Sequence, residues 1–196
     1  MNFLAHIYLS GNDTELQIGN FIADGIRGKD YLNFPERVSQ GIMLHRNIDT
    51  FTDQHPIFKQ TKKYFQPEYG LYSGIIVDMV YDHFLAKNWN DFHDQKLELF
   101  VDKFYNTLDF NYNILPQKTQ LLLPIMKSEN WLVSYKELEG LRNILSKMDN
   151  RMKNKSNMQN AIKDLTLNYK NIEQEFNLFF VHLIAYTEKK IIDLEK

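Results

Sequence analysis

Hydrophobic residues recur every three or four positions along most of the chain, which places them on one face of an α-helix. Leu44, Ile48 and Phe51 form one such stripe, and Pro35 fits the first turn of the same helix. Segment 71–88 is hydrophobic on all sides and is therefore expected to be buried. The pattern predicts helices over 15–27, 35–51, 56–65, 71–88, 91–108 (capped by Asp91), 137–148 and 159–190.

Prolines and polar runs separate these segments. His55-Pro56 and Gln66-Pro67 interrupt the pattern, because the residue before a proline avoids the helical conformation. Polar residues fill 149–157, which predicts a loop, and a strand is possible at 121–126. No Asn-Gly or Asp-Gly hairpin signal adjoins that possible strand. We expect an all-α fold, a single-domain helical bundle spanning 1–196.

The composition excludes several classes of protein. The 196 residues include no cysteine, which excludes disulfides, a thiolate nucleophile and cysteine-bound zinc. Lys and Arg total 23 against 25 Asp and Glu, a net charge of −2 that does not favour nucleic-acid binding. No apolar run approaches the roughly 18 residues of a membrane span, and the N-terminus lacks the basic start of a signal peptide. We expect a cytoplasmic protein with no membrane or nucleic-acid partner.

Acidic residues interrupt the most apolar helix. Asp78, Asp82 and His83 lie within 71–88, and the two aspartates are four residues apart, on one face of the helix. An ionised carboxylate in a dry core is costly unless it is paired or binds a metal. Two carboxylates on one face also repel each other, so a cation between them is the simplest interpretation.

Three further segments place histidine or aspartate where the pattern calls for apolar residues. His45 and Asp49 share a core-facing stripe with Val38 and Ile42. Mixed imidazole and carboxylate ligands suit Mn²⁺, Fe²⁺ or Zn²⁺, and facing helices can build such a site inside a bundle. The other two segments carry Asp24, amid Phe21, Ile22, Ala23 and Ile26, and His6, amid Leu4 and Ile7.

A structural interpretation of these residues stays open. Asp78, Asp82 and His83 could belong to a buried salt-bridge network with Arg27, Arg46 or Lys87, since such networks also bury carboxylates. Asp53, four residues after Asp49, could lie exposed beyond the end of its helix.

Five blocks of the sequence resemble the acyl carrier protein phosphodiesterase family. The resemblance covers nearly the whole chain, and the blocks follow the order of the family. They are MNFLAH at 1–6, GNFIADGIRG at 19–28, GIMLHRNIDTFTDQHP at 41–56, SGIIVDMVYDHFLAKNW at 73–89 and SENWLVSYKELEGLRNILSKM at 128–148.

The resemblance implies an HD-like helical fold, a divalent metal, foremost Mn²⁺, and a phosphodiesterase activity. The expected reaction removes 4′-phosphopantetheine from a serine of holo-acyl carrier protein and leaves the apo-carrier. One departure is that the adjacent pair here is Asp82-His83, whereas the HD signature is His-Asp. The HD ligand set therefore cannot be transferred position by position.

For the family itself, Asp24 is the residue carried over most firmly. The predicted metal ligands are Asp24, His6, His45, Asp49, Asp78 and Asp82. A carboxylate not used as a ligand, or His83, is expected to act as general acid or base, and Arg27 or Arg46 to hold the phosphate unless they are solvated. The predicted catalytic residues are Asp24, Asp82, His83, Arg27 and Arg46.

Basic residues suit an acidic protein partner, as acyl carrier proteins are. The segment 142–155 contains five basic residues and only one acidic residue, Asp149, which makes it a predicted partner-binding segment. A second basic cluster comprises Lys59, Lys62 and Lys63. A polar face that is simply solvated would show the same run of basic residues. The partner-binding residues are Arg142, Lys147, Arg151, Lys153 and Lys155.

Two other functions stay open: a metal phosphohydrolase acting on nucleotides or other small phosphodiesters, and a non-catalytic helical binding protein.

Overall fold

The computed structural model describes residues 1–153 and 155–194. In this part of the chain the structure is helical throughout, with short 3₁₀ turns and no β-strand, which confirms the all-α prediction. The helices are α1 (Phe3–Leu9), α2 (Thr14–Ile22), α3 (Glu36–Gln54), α4 (Pro56–Lys62), α5 (Gln66–Tyr69), α6 (Ser73–Lys87), α7 (Leu97–Phe110), α8 (Gln117–Ser128), α9 (Trp131–Ser134), α10 (Leu138–Arg151) and α11 (Ala161–Leu194).

Helix α6 runs through the centre of the molecule. Eleven of its 15 residues are buried, as its uniform hydrophobicity predicts. Helices α1, α4, α10 and α11 all pack against it. The buried hydrophobic side chains form one continuous cluster, so the N-terminal helices and α10 share a core with α6.

Two glycines bring α2 and α3 into close contact. A Cβ atom added to Gly19 would lie 2.0 Å from the carbonyl oxygen of Val38, and one added to Gly41 would lie 2.5 Å from that of Leu16. Only glycine allows this approach, because any side chain would clash with the facing backbone. The contact places the C-terminal end of α2 beside the middle of α3, where His45 lies.

Several predicted boundaries are wrong, each for a local reason. Asp91 does not cap α7, since it lies in a 3₁₀ turn and α7 begins only at Leu97. The intervening chain is fixed by the ring nitrogen Nδ1 of His93, which accepts a hydrogen bond from the backbone N–H of Gln95 (3.0 Å). The first predicted helix also ends earlier, at Ile22, where a 3₁₀ turn over Ala23–Gly25 takes over.

The possible strand at 121–126 is helical. It lies within α8, which contains Pro124. The predicted loop at 149–157 begins late, because α10 continues to Arg151. Residue 154 of that segment lies outside the described residues.

No helix in the described residues combines the length and the hydrophobicity needed to cross a membrane.

Candidate metal centre and active site

Two histidines and an aspartate meet where α1 lies beside α3. The rings of His6 and His45 stack with centroids 3.9 Å apart. His6 Nε2 is 3.3 Å from Asp49 Oδ1, and His45 Nε2 is 3.1 Å from Asp49 Oδ2. One possible ligand atom from each of the three residues lies within 4.8 Å of the other two, so the three could hold one metal ion. All three were predicted as ligands from the sequence.

Asn20 fixes the orientation of both imidazole rings. Its side-chain Nδ2 donates to the carbonyl oxygen of His6 and to Ser10 Oγ (2.9 Å each), so its Oδ1 is free to accept from His6 Nδ1 (2.7 Å). Its backbone carbonyl oxygen accepts from His45 Nδ1 (2.8 Å). Both Nδ1 atoms therefore carry hydrogens that are already donated, and both Nε2 atoms point to Asp49.

This arrangement leaves a place for a cation. With Nδ1 protonated in both neutral rings, each Nε2 presents a lone pair. His6 Nε2 then faces the carboxylate of Asp49 and the carbonyl oxygen of Met1 (3.2 Å), both of which are acceptors. Converging lone pairs and carboxylate oxygens repel one another unless a proton or a metal ion lies between them.

Asp24 joins the group from the 3₁₀ turn after α2. Its Oδ1 lies 3.3 Å from His45 Nε2, and its side chain is 70% exposed. Burial alone would lower the pKa of His45, but the hydrogen bonds to Asp24 and Asp49 outweigh it and raise that pKa to about 9. The bond to His45 in turn lowers the pKa of Asp24.

Burial, with the charge of His45, lowers the pKa of His6 to about 4. Burial opposes ionisation of Asp49, but its bonds to His45 and His6 outweigh this and lower its pKa. These shifts favour a protonated imidazole at His45 beside ionised carboxylates at Asp24 and Asp49. The two carboxylates carry more charge than one imidazolium neutralises, and a bound cation would offset the difference.

The α-ammonium group of Met1 is a second positive group at the site. It lies 2.8 Å from Asp78 Oδ1 and 3.8 Å from Asp49 Oδ1. Burial alone would lower the pKa of the ammonium, but Asp78 and Asp49 outweigh it and raise that pKa. Asp78 thus pairs with the ammonium rather than with Arg27, Arg46 or Lys87. Lys87 instead pairs with Glu173 (2.8 Å).

A cavity of about 320 Å³ opens beside these groups. Asp53, which is exposed at the end of α3, also lines it, as does the buried Thr52. Apolar side chains also line it: Ile75 of α6, Met148 of α10, and Met152 directly after α10. Its acidic side is formed by Asp24, Asp49, Asp53 and Asp78.

Asp82 binds the backbone at the start of α1. It is fully buried, and its two oxygens accept hydrogen bonds from the backbone N–H groups of Asn2 (3.3 Å), Leu4 (2.8 Å) and Ala5 (3.3 Å). Burial raises its pKa to about 7, against the effect of the Met1 ammonium and these bonds. Asp82 satisfies the free donors at the start of α1 and so holds the helix that carries His6.

His83 and Arg46 also lie outside the metal group. His83 bonds to the carbonyl oxygen of Tyr135 through Nδ1 and to the hydroxyl of Tyr169 through Nε2, each at 2.7 Å. The Arg46 guanidinium donates to the carbonyl oxygens of Ile26 (3.1 Å) and Gly28 (2.9 Å). Arg46 therefore holds the loop that follows Asp24, and the exposed Arg27 lies in that loop.

The predicted basic surface occupies α10 and the turn after it. Asp149, the one acid counted in this stretch, is buried and accepts hydrogen bonds from the backbone N–H groups of Ser156 and Asn157. Lys147 and Arg151 both lie over the ring of Trp131, at 5.3 and 5.6 Å from its centroid. We call Arg142, Lys147, Arg151, Lys153 and Lys155 the basic strip.

Three groups at the site were missed from the sequence. No pattern in a sequence reveals the Met1 ammonium as a partner of Asp78. Asn20 was visible as a polar residue one turn before Asp24, within an otherwise apolar face. Thr52 gave no signal, because threonine is common on exposed and buried helix faces alike.

Comparison with known proteins identifies the family. The family model described as acyl carrier protein phosphodiesterase matches residues 1–183. The chain belongs to the acyl carrier protein phosphodiesterase family. The match includes every residue of the metal group and the whole of the basic strip.

Curated members of this family cover almost the entire chain. Acyl carrier protein phosphodiesterase of Yersinia enterocolitica is 30% identical over 193 residues, which are 98% of this chain and 100% of the relative. The Pectobacterium atrosepticum protein of the same name is 30% identical over 185 residues, or 94% and 96% of the two chains. The Salmonella agona protein matches at 30% over 193 residues.

No solved structure matches the chain. The HD-like relationship therefore stays a prediction. Membership of the acyl carrier protein phosphodiesterase family assigns the chain to the phosphodiester hydrolases, and the metal group with its adjoining cavity is the candidate active site.

Proposed function

We propose that this chain hydrolyses the phosphodiester that joins 4′-phosphopantetheine to a serine of holo-acyl carrier protein. Water attacks the phosphorus, the bond from phosphorus to the serine oxygen breaks, and the serine regains a proton. The products are the apo-carrier and free 4′-phosphopantetheine. The observation that carries the proposal is the convergence of His6, His45 and Asp49 on one point beside the cavity.

The donor set fits a divalent first-row metal, and we propose Mn²⁺. His6 Nε2, His45 Nε2 and Asp49 would hold the ion, and Asp24, which stays ionised, would supply a further oxygen. When bound, such an ion lowers the pKa of a coordinated water and offsets the negative charge of the phosphate. An anionic phosphodiester would otherwise be repelled by the four aspartates that line the cavity.

The remaining residues divide between support and substrate contact. Asp82 and Arg46 hold α1 and the loop after Asp24, so we assign them to positioning rather than to proton transfer. Arg27, exposed in the loop that Arg46 holds, is the residue we propose for phosphate contact. The basic strip, on α10 and the turn after it, is proposed to receive the acidic carrier, because Met148 and Met152 of the same segment line the cavity. A cytoplasmic location stays a prediction.

Mass spectrometry of holo-carrier incubated with the protein and Mn²⁺ tests this proposal. We expect loss of the prosthetic arm, which a chelator abolishes and added Mn²⁺ restores. Asp49→Asn should reduce cleavage to the level seen with the chelator, because it removes the negative charge of the carboxylate that both histidines contact. Asp94→Asn, an exposed position outside the site, is the matched control and should cleave normally.

The alternatives give different results in the same assay. If the protein cleaves nucleotides but leaves holo-carrier intact, the site acts on small phosphodiesters and the carrier is excluded as its substrate. A protein that binds no Mn²⁺ and cleaves neither would be the non-catalytic binding protein.

A further inference from the structure

Thr52 has a buried hydroxyl beside the metal group. The residue lies on α3, is 1% exposed and lines the cavity beside the metal group. Its Oγ1 has no hydrogen-bond partner among the described residues. The buried Thr187, which is equally shielded at 1% exposure, instead donates to the carbonyl oxygen of Leu183 (2.8 Å), four residues earlier in its helix.

An unpartnered buried hydroxyl is unfavourable, and native structures seldom retain one. At a cavity wall it is explained when a ligand supplies the missing acceptor. Thr52 is therefore a candidate ligand contact that does not depend on the charged residues of the metal group.

The surroundings of Thr52 indicate what kind of ligand this is. Ile75, Met148 and Met152 line the same cavity, and methionine side chains adapt to flexible, irregular apolar chains. One hydroxyl donor in a cavity that these apolar side chains also line suits a chain in which carbonyl groups alternate with short hydrocarbon segments. A free phosphate or a water held by the metal ion would gain nothing from these apolar side chains.

We propose that Thr52, Ile75, Met148 and Met152 form a subsite for the amide-bearing arm of the substrate. The Thr52 hydroxyl donates a hydrogen bond to a carbonyl oxygen of the arm, and the arm's methylene groups lie against the two methionines. This inference rests on the proposed function, in which a phosphodiester at the metal group continues into 4′-phosphopantetheine. The inference adds to the proposed function a residue, Thr52, that selects substrates by their arm rather than by their phosphate.

Binding measurements with Mn²⁺-loaded protein test the subsite directly. The probes are 4′-phosphopantetheine and inorganic phosphate, measured by isothermal titration calorimetry. Thr52→Val keeps the shape of the side chain and removes the hydroxyl. We expect it to weaken binding of 4′-phosphopantetheine about 5- to 10-fold relative to binding of phosphate, the effect of one hydrogen bond. Thr52→Ser should restore most of the difference.

Thr187→Val is the matched control, because it makes the same change at an equally buried threonine on α11. It should leave the ratio of the two affinities unchanged. The inference is overturned if Thr52→Val leaves that ratio unchanged, or if Thr52→Ser, with a normal melting temperature, fails to restore it. Failure of the proposed function appears separately, as wild-type protein that leaves holo-carrier intact.

Discussion

At the scale of single residues, Asn20 decides how the two histidines can be used. It is fully buried, and every polar atom of its side chain has a partner. Residues that orient metal-binding histidines through the second ring nitrogen commonly contribute 10- to 100-fold in metal affinity, as an order of magnitude. Here one residue orients both rings, one through its side chain and the other through its backbone.

We predict that Asn20→Leu weakens Mn²⁺ binding by about 10- to 100-fold. Leucine is close to asparagine in size, but it leaves His6 Nδ1 without its acceptor and frees the ring to turn. Calorimetric titration with Mn²⁺ measures the effect without any substrate.

The control for Asn20→Leu is Gln17→Leu on the same helix. Gln17 is also buried and donates to the carbonyl oxygen of Gly11 (2.7 Å), away from the histidines. Both variants should lose stability, by about 1–3 kcal/mol for the lost buried bonds, but Gln17→Leu should bind Mn²⁺ normally. Equal affinity losses in the two variants would mean that Asn20 only stabilises the fold.

Sequence reasoning singled out several residues that the fold brings together. A polar residue on an apolar helix face marked His6, His45 and Asp49, which lie side by side in the structure. The same signal marked Asp82, whose buried carboxylate instead binds the backbone of α1. In the sequence, a buried metal ligand and a buried residue that caps a neighbouring helix both look like a polar residue on an apolar face. Only the three-dimensional position of the binding partner distinguishes them.

At the scale of helices, the crossing of α2 and α3 sets the geometry of the metal group. Gly19 and Gly41 face each other, and this contact allows the backbone of Asn20 to reach His45. Any change that separates the two helices should act on stability and on the site together.

We predict that Gly19→Ala destabilises the protein by about 3 kcal/mol. Alanine favours a helix over glycine by about 1 kcal/mol, but its Cβ would lie 2.0 Å from the carbonyl oxygen of Val38. The clash outweighs the propensity because backbone atoms cannot move aside as a flexible side chain can. Urea unfolding followed by circular dichroism measures the change.

Gly25→Ala is the comparison, since nothing lies within 4 Å of an added Cβ at that position. Its free energy of unfolding should stay within about 0.5 kcal/mol of the wild type. Unchanged stability in Gly19→Ala would show that α2 and α3 can separate freely.

The long helices were predictable, but α8, the short helices α1, α5 and α9, and several helix ends were not. Apolar spacing located α3, α6 and α11, since long amphipathic or buried helices carry many repeats of the pattern. Before α7 begins, the ring of His93 accepts a hydrogen bond from the backbone N–H of Gln95, and after α10 the carboxylate of Asp149 binds the following turn. Such contacts join single residues and leave no period in the sequence.

At the scale of the whole molecule, charge is unevenly distributed although the net charge is only −2. Four aspartates line the cavity, whereas the segment that lines it with Met148 and Met152 carries the basic strip. The basic strip would attract an acidic carrier protein, whereas the four aspartates of the cavity would repel it. Only the phosphodiester of the carrier would then enter the cavity.

Reversing the charge of two exposed residues of the basic strip tests this attraction. We predict that the double variant Lys153→Glu/Lys155→Glu raises KM for holo-carrier about tenfold at low salt, with a small change in kcat, because these residues steer the partner and do not touch the reacting atoms. Steady-state assays over a range of salt concentrations measure this. The difference from wild type should shrink as salt screens exposed charges.

Lys103→Glu/Lys118→Glu makes the same change in net charge at exposed positions on α7 and α8. If the basic strip is the docking surface, this control should alter KM far less than the strip variant at every salt concentration. Equal increases in the two variants would mean that total charge, and not a local surface, governs the encounter. A strip variant whose KM matches wild type at low salt would place the carrier on another face of the molecule, and the cluster of Lys59, Lys62 and Lys63 would be the next surface to reverse.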